Sequence, residues 1–336
     1  MSGLRDLPES VFKLIEGSAV TEFGTVSAAG VPIDTPTYAF PSDDLSTIDL
    51  ATGLAYPAKA ERARRNPKVG LLLEGGPGEP VVSIRGRAAV RDSDLQANAV
   101  RYVAETGFES ISFGLQWSEA REAVWYWTRI IVEVTPERVL WWDDPAAMDV
   151  SPRVWNAPTG SSCERSDPTP AGKGSAPAQW PQRAWQEIAQ EALARNVRPH
   201  LTLCDEDGYP LPIRASQHDL VGDRFRLIMP RGAPWQCAGK ATLTFLGQET
   251  FVGDLTTRDG VSWLHVERAL PQHPLMQNPI EVLRPSDDVK RKLMARLTEE
   301  TSRRGQPIPR LPSKPPAPTR LAMLRAARAG GLAQTV

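Results

Sequence analysis

Apolar residues recur at every second position over several short stretches of this chain. From Val82 they fall at Val82, Ile84, Ala88 and Val90, with Ser83, Arg85 and Arg87 between them, which predicts a strand with one core face. Phe23 to Ala28 and Val31 to Phe40 flank Ala29-Gly30, predicting a hairpin whose Gly30 supplies a positive φ. Thr47 to Ala51 and Val69 to Leu73 read as further strands, as do Arg129 to Thr135 and Val139 to Trp142, the last two separated by a turn at Pro136-Glu137-Arg138. Helical spacing marks Leu7 to Glu16, Asp94 to Glu105, Ser118 to Trp127, Arg183 to Asn196 and Ser286 to Arg304. Strands in quick succession with short helices between them predict a small antiparallel barrel.

The second half repeats the first. Leu203 to Leu211 lies over Thr25 to Ile33 without a gap, and in the same register Phe225 to Met229 lies over the strand before Thr52. Phe251-Val252-Gly253-Asp254 matches the region of Gly86, and Trp263 to Arg268 matches the strand after Arg129. The expected fold is mainly β, with two tandem split antiparallel β-barrels and short flanking helices. Residues 1–142 form the first barrel, 143–182 a linker rich in Pro, Ser and Gly, and 183–285 a second, degenerate barrel. Residues 286–336 form a helical, Pro-rich tail ending in a basic helix from Thr319 to Ala329 that docks on a barrel or a neighbouring chain.

Composition narrows the function. Among 336 residues 41% are hydrophobic and 24% charged, enough for two cores, and a formal net charge of −1 argues against nucleic acid or acidic membranes as partners. No apolar run is long enough to span a bilayer, and the N-terminus lacks the apolar stretch of a signal peptide, so the expected location is cytoplasmic. Cys163, Cys204 and Cys237 fit neither a disulfide framework nor a zinc site, and His200, His218, His265 and His273 have no metal-ligand spacing; no metal is expected.

The most informative stretch is Thr52 to Leu72. Pro57 suits the first turn of a helix and Asn66-Pro67 ends it, which puts Lys59 in the first turn and Arg62 on the same face. A cation there opposes the helix dipole, and binding a phosphate would justify it. The plainer reading places both in a solvated basic face with Arg64 and Arg65. At the matching position of the second half stands Cys237, with no basic helix turn after Pro230.

Four stretches together resemble the pyridoxamine 5′-phosphate oxidase-like family of FMN-binding split barrels. They are Thr25 to Tyr38, the Lys-Ala-…-Asn-Pro-Lys-Val run from Lys59 to Val69, Val82 to Ala88, and Arg129 to Val139. The resemblance implies FMN as cofactor, with Lys59 on its phosphate and Thr52 and Gly53 beside it. Thr35 and Thr37 would face the ring system, and Arg62 and Arg85 would supply further contacts. Several family members carry a basic residue at the Thr35 position. The implied activity is an FMN-dependent oxidoreductase passing hydride between flavin and a small aromatic or heterocyclic substrate lined by Tyr38, Trp125, Trp127 and Arg129. Ordinary core packing is the alternative for the two tryptophans. The resemblance also implies a flavin between two barrels, hence an internal pseudo-dimer or a homodimer. A haem-binding or deazaflavin (F420)-using protein and a non-catalytic binding module are the rival readings, and no catalytic residue is singled out.

Overall fold

The computed structural model describes residues 4–108, 114–160, 162–174, 183–245, 249–270 and 283–333, with side chains as far as 328. The first sheet comprises β1 (Val20–Val26), β2 (Pro32–Pro41), β3 (Ile48–Gly53), β4 (Lys68–Glu74), β5 (Val81–Arg91), β6 (Arg129–Trp142) and β7 (Arg153–Asn156). Its order is β3-β2-β1-β4-β5-β6-β7, and β3 also pairs with β6, closing six strands into a barrel. Alternate residues Phe23, Ala39, Leu50, Leu71, Ile84 and Val132 fill the interior. Each large apolar side chain withdrawn from water there contributes about 1.5–3 kcal/mol. Gly30 has φ 75° in the β1–β2 turn, as the hairpin requires.

Two expected elements differ: the helix expected over Ser118 to Trp127 is two short ones, Trp117–Ala120 and Val124–Trp127, and a strand replaces a turn. Pro136-Glu137-Arg138 makes no turn, and β6 runs unbroken from Arg129 to Trp142. Pro136 lies opposite Gly86, where the pairing register shifts between Arg85 and Gly86. A bulge disturbs the ladder there, so a residue without an N–H is tolerated inside a strand.

The second sheet comprises β8 (His200–Cys204), β9 (Pro210–Arg214), β10 (Gln217–Val221), β11 (Arg224–Ile228), β12 (Gly239–Phe245), β13 (Glu249–Arg258) and β14 (Val261–Ala269). Its order is β10-β11-β14-β13-β12-β8-β9. The two outermost strands are consecutive in the chain, joined through Ala215-Ser216, and share the role of β2. In the first barrel β2 pairs with β1 and then with β3; in the second, β9 pairs with β8 and β10 with β11. The second sheet is therefore the same ring with one strand broken at a bend.

The repeat extends to detail. Val26 faces Pro32 and Cys204 faces Pro210, so the hairpins keep step. The register also shifts between Val252 and Gly253, matching the shift at Gly86. Both glycines are needed there, since a Cβ at Gly86 would lie 2.5 Å from Thr135 O and one at Gly253 would press on His265 O. Among the described residues no helix separates β11 from β12, whereas α2 (Ala58–Arg65) joins β3 to β4.

The barrels pack through the outer faces of β1, β2, β4 and β5 against β8, β9 and β12. Gly24 and Gly70, paired across β1 and β4, leave room for the carbonyl of Pro210, which a side chain at either would strike. Leu72, Val81, Leu140 and Trp142 join the core of the second barrel, beside Leu201, Leu211 and Phe251.

The remaining segments clothe the first barrel. They are α1 (Glu9–Gly17), α3 (Leu95–Thr106), α4 (Trp117–Ala120), α5 (Val124–Trp127), α7 (Asp287–Arg303) and α8 (Arg320–Ala333), while α6 (Trp185–Ala194) covers β13 and β14. Part of the segment read as a linker is built in: β7 extends the first sheet, and Asp167 accepts from the backbone N–H groups of Asp92 and Ser93. The basic C-terminal helix docks on α1 and α3, with Arg325 donating to the carbonyls of Glu16, Ser18 and Ala39. No described helix is long and apolar enough to cross a membrane.

Candidate anion site and barrel interface

Residue types that end a strand and open a helix place the central cation. Gly53 closes β3, Pro57 precedes α2 with helical φ and ψ, and Glu61 N–H reaches Pro57 O to start the helix. Lys59 therefore sits in the first turn, and its half-buried side chain reaches back to the hairpin. Nζ donates to Pro36 O at 3.2 Å and to Thr37 Oγ1 at 3.1 Å. Three residues on, Arg62 Nε donates to Thr25 Oγ1 at 2.7 Å.

Arg129 completes the group. It is paired with Gly53 across β3 and β6, and its Nη1 lies 3.2 Å from where a Cβ at Gly53 would stand. Its guanidinium lies over the rings of Tyr102 and Tyr126, 4.2 and 4.4 Å from their centroids, and donates to Tyr102 Oη. Burial, then the nearby charges of Arg62 and Arg129, push the Lys59 amine down to about 7, although Glu22 and Asp34 work the other way. Burial and Arg65 lower Arg62 to about 10. Arg129 Nε and Thr35 Oγ1 are buried atoms without a hydrogen-bond partner. Crowded cations and unspent polar atoms suit an anion.

The structure brings Thr37, Tyr38, Gly53, Lys59, Arg62 and Arg129 into this one corner of the first barrel, with Thr35 two residues before Thr37 on β2 and Thr52 next to Gly53 at the end of β3. Tyr38 stacks edge-on against Tyr102, and burial, then Tyr126, raise its hydroxyl to about 12. Arg85 lies elsewhere: it pairs with Asp205 at 3.3 Å and Asp207 at 2.5 Å and covers the Tyr209 ring. It lines a small cavity between the barrels with Ser83, Arg138, Asp205 and Leu211, so the polar face of β5 meets the second barrel instead of water. Trp127 is fully buried and donates to Ala120 O, and Trp125 is buried beneath Lys290. Tyr102 and Tyr126 join the corner without having been marked by any motif, and Thr25, which opens the first resemblance stretch, joins it without an expected role. A tyrosine on a helix gives no sign in sequence of the arginine it will cover.

A second polar group lies where β1 and β2 meet β8. His200 Nε2 is 2.8 Å from Glu74 Oε2, and its Nδ1 is 3.5 Å from Glu22 Oε1. Asp34, fully buried, accepts from Thr244 Oγ1 at 2.8 Å through Oδ1, and Thr202 also lies alongside it. Burial, partly offset by His200, pushes Glu22 up to about 7 and raises Asp34. Hydrogen bonds from His200 and Arg214 overcome burial at Glu74 and hold it at about 2.

No protein-family model matches the chain, and no curated protein matches it. Solved structures similar to part of it include a putative pyridoxamine 5′-phosphate oxidase from Listeria innocua, at 19% identity and TM-score 0.30, covering 40% of this chain and 98% of that one. A protein related to general stress protein 26 from Clostridium acetobutylicum is 15% identical, with TM-score 0.33, covering 44% and 91%. A pyridoxamine 5′-phosphate oxidase-related, FMN-binding protein from Nostoc punctiforme is 12% identical, with TM-score 0.31, covering 42% and 84%. Over less than half its length, then, the chain is similar to pyridoxamine 5′-phosphate oxidase-like proteins, and its two-barrel architecture rests on the strand order and matched bulges described above.

Proposed function

We propose that the chain binds FMN through the first barrel and is a flavin-dependent oxidoreductase of the pyridoxamine phosphate oxidase-like type. The observation that carries this reading is the half-buried Lys59 amine, held against the hairpin strand beside Arg62 and Arg129 and depressed to about 7. A terminal phosphate would relieve that crowding, since an anion within hydrogen-bonding reach favours each charged form. Lys59 and Arg62 would hold the phosphate, with the backbone at Thr52 and Gly53 beside it. Thr35 Oγ1 would gain the partner it lacks, and Thr37 would orient the amine.

Bound FMN supplies the capacity to take up or give a hydride. The chain's own contribution is position and charge. Tyr38, Tyr102 and Tyr126 form an aromatic wall, and Arg129, fixed by two of those rings, presents a cation suited to a carboxylate or phenolate on a small aromatic or heterocyclic substrate. The Nostoc punctiforme neighbour described as FMN-binding is consistent with a flavin.

Two of the described histidines are already engaged in ways that do not suit haem ligation. His200 is buried with Nε2 on Glu74, and His218 packs edge-on against Phe245. The absorbance spectrum of the purified protein, with mass analysis of any released ligand, tests the proposal. Flavin bands and a mass of FMN support it; a Soret band, or a colourless protein that stays colourless after incubation with FMN, contradicts it.

A further inference from the structure

We infer that Glu22, Asp34 and His200 form a divalent transition-metal site at the interface of the two barrels, built from ligands of both. One ligand atom from each lies within 4.8 Å of the others. His200 Nδ1, Glu22 Oε2 and Asp34 Oδ2 are all buried and make no hydrogen bond of normal geometry. Buried acceptor atoms without partners on three residues of one group are costly unless something accepts them.

The surroundings match what a metal-bound imidazole needs. His200 Nε2 lies 2.8 Å from Glu74 Oε2, and in the tautomer that donates there Nδ1 is left as an acceptor, 3.5 Å from Glu22 Oε1. Arg214 in turn grips Glu74, with Nε 2.9 Å from each oxygen and Nη2 at 2.5 Å. A carboxylate behind the imidazole fixes its tautomer and raises its basicity. Thr244 likewise pins Asp34 through Oδ1 and frees Oδ2.

Around His200 stand the carboxylates of Glu22, Asp34 and Glu74; Arg214 grips Glu74, and Lys59 lies near enough to Glu22 and Asp34 to act on both. Two carboxylate oxygens and one imidazole nitrogen suit Mn²⁺, Fe²⁺ or Zn²⁺ better than Mg²⁺ or Ca²⁺. Because Glu22 and Asp34 come from the first barrel and His200 from the second, the ion would clamp the tandem together. This site stands independently of flavin binding.

The test uses the full, untagged chain, stripped with chelator and dialysed separately against Zn²⁺ and Mn²⁺, with metal measured per chain. A single tightly held ion is expected. Asp34→Asn with His200→Gln should lower affinity by well over tenfold, and Glu74→Gln by about 10–100-fold. Pulsed electron paramagnetic resonance of the Mn²⁺-loaded wild type should show coupling to an imidazole nitrogen, a readout that needs no variant to fold. Absence of stoichiometric uptake of either ion, absence of nitrogen coupling, or unchanged affinity in the folded double variant would overturn the site.

Discussion

Lys59 Nζ donates to Thr37 Oγ1 at 3.1 Å, tethering the first turn of a helix to the hairpin strand that precedes it by a whole strand and turn. That bond pulls the cation inward, toward Arg62 and Arg129, instead of letting it extend into solvent.

The depressed amine makes FMN affinity depend on pH. Below about 7 Lys59 is charged and FMN binding is strongest; as pH rises through that value the cation is lost and affinity falls, by up to about tenfold per pH unit. Arg62 keeps its charge over this range. Fluorescence titration of FMN from pH 7 to 9 should show the decline in the wild type and a markedly shallower profile in Lys59→Met.

The same group shapes the stability of the unliganded protein. Between about 7 and the ordinary lysine value of 10.5 the unfolded chain holds a proton that the folded chain does not, so stability rises with pH. Below about 7 the penalty is fully present. Denaturant unfolding at pH 7 and pH 9 should show this gain in the wild type and its loss in Lys59→Met.

The matched bulges are open to substitution. A methyl group at Gly86 would meet the backbone of Thr135, and one at Gly253 that of His265. Gly86→Ala and Gly253→Ala should each cost about 1–3 kcal/mol in urea unfolding. Gly76→Ala, whose added carbon would lie 3.6 Å from the flexible end of Glu79, should stay within about 0.5 kcal/mol.

Arg304 anchors the C-terminal segment. It is almost fully buried, with Nε 2.8 Å from Asp92, Nη1 2.5 Å from Glu300 and Nη2 3.3 Å from Glu61. Arg304→Ala removes one of two arginines from Asp92 and from Glu300, which keep Arg64 and Arg303, and should cost about 1.5–3 kcal/mol. Limited proteolysis should then cut the Pro-rich stretch from Gln306 to Pro318, which the wild type protects through Gln306 and the carbonyl of Pro312.

Much of the scaffold was legible because it is local. Strand alternation, Gly30 in its turn and Pro57 before α2 each act within a few residues, and the repeat showed because both hairpins keep one spacing. Pro136 misled because the bulge that tolerates it is set by Gly86 on another strand. The linker looked unable to bury much, yet part of it docks through Asp167, and the tail's arginines find partners that lie far away in sequence. At the site, Lys59 and Arg62 stood out by position on their helix. Arg85 shared that basic character, but its partners Asp205 and Asp207 come from the other barrel. The grouping of Glu22 and Asp34 with His200 has no spacing to detect, since only packing of the two barrels creates it.

The most direct test of the central claim is the dissociation constant for FMN in wild type, Lys59→Ala and Arg85→Ala, with the fold checked by circular dichroism. Removing the charged hydrogen-bonding group at Lys59 should cost about 1.5–3 kcal/mol of binding, while Arg85→Ala should leave affinity unchanged. Equal affinity in wild type and Lys59→Ala would contradict the account.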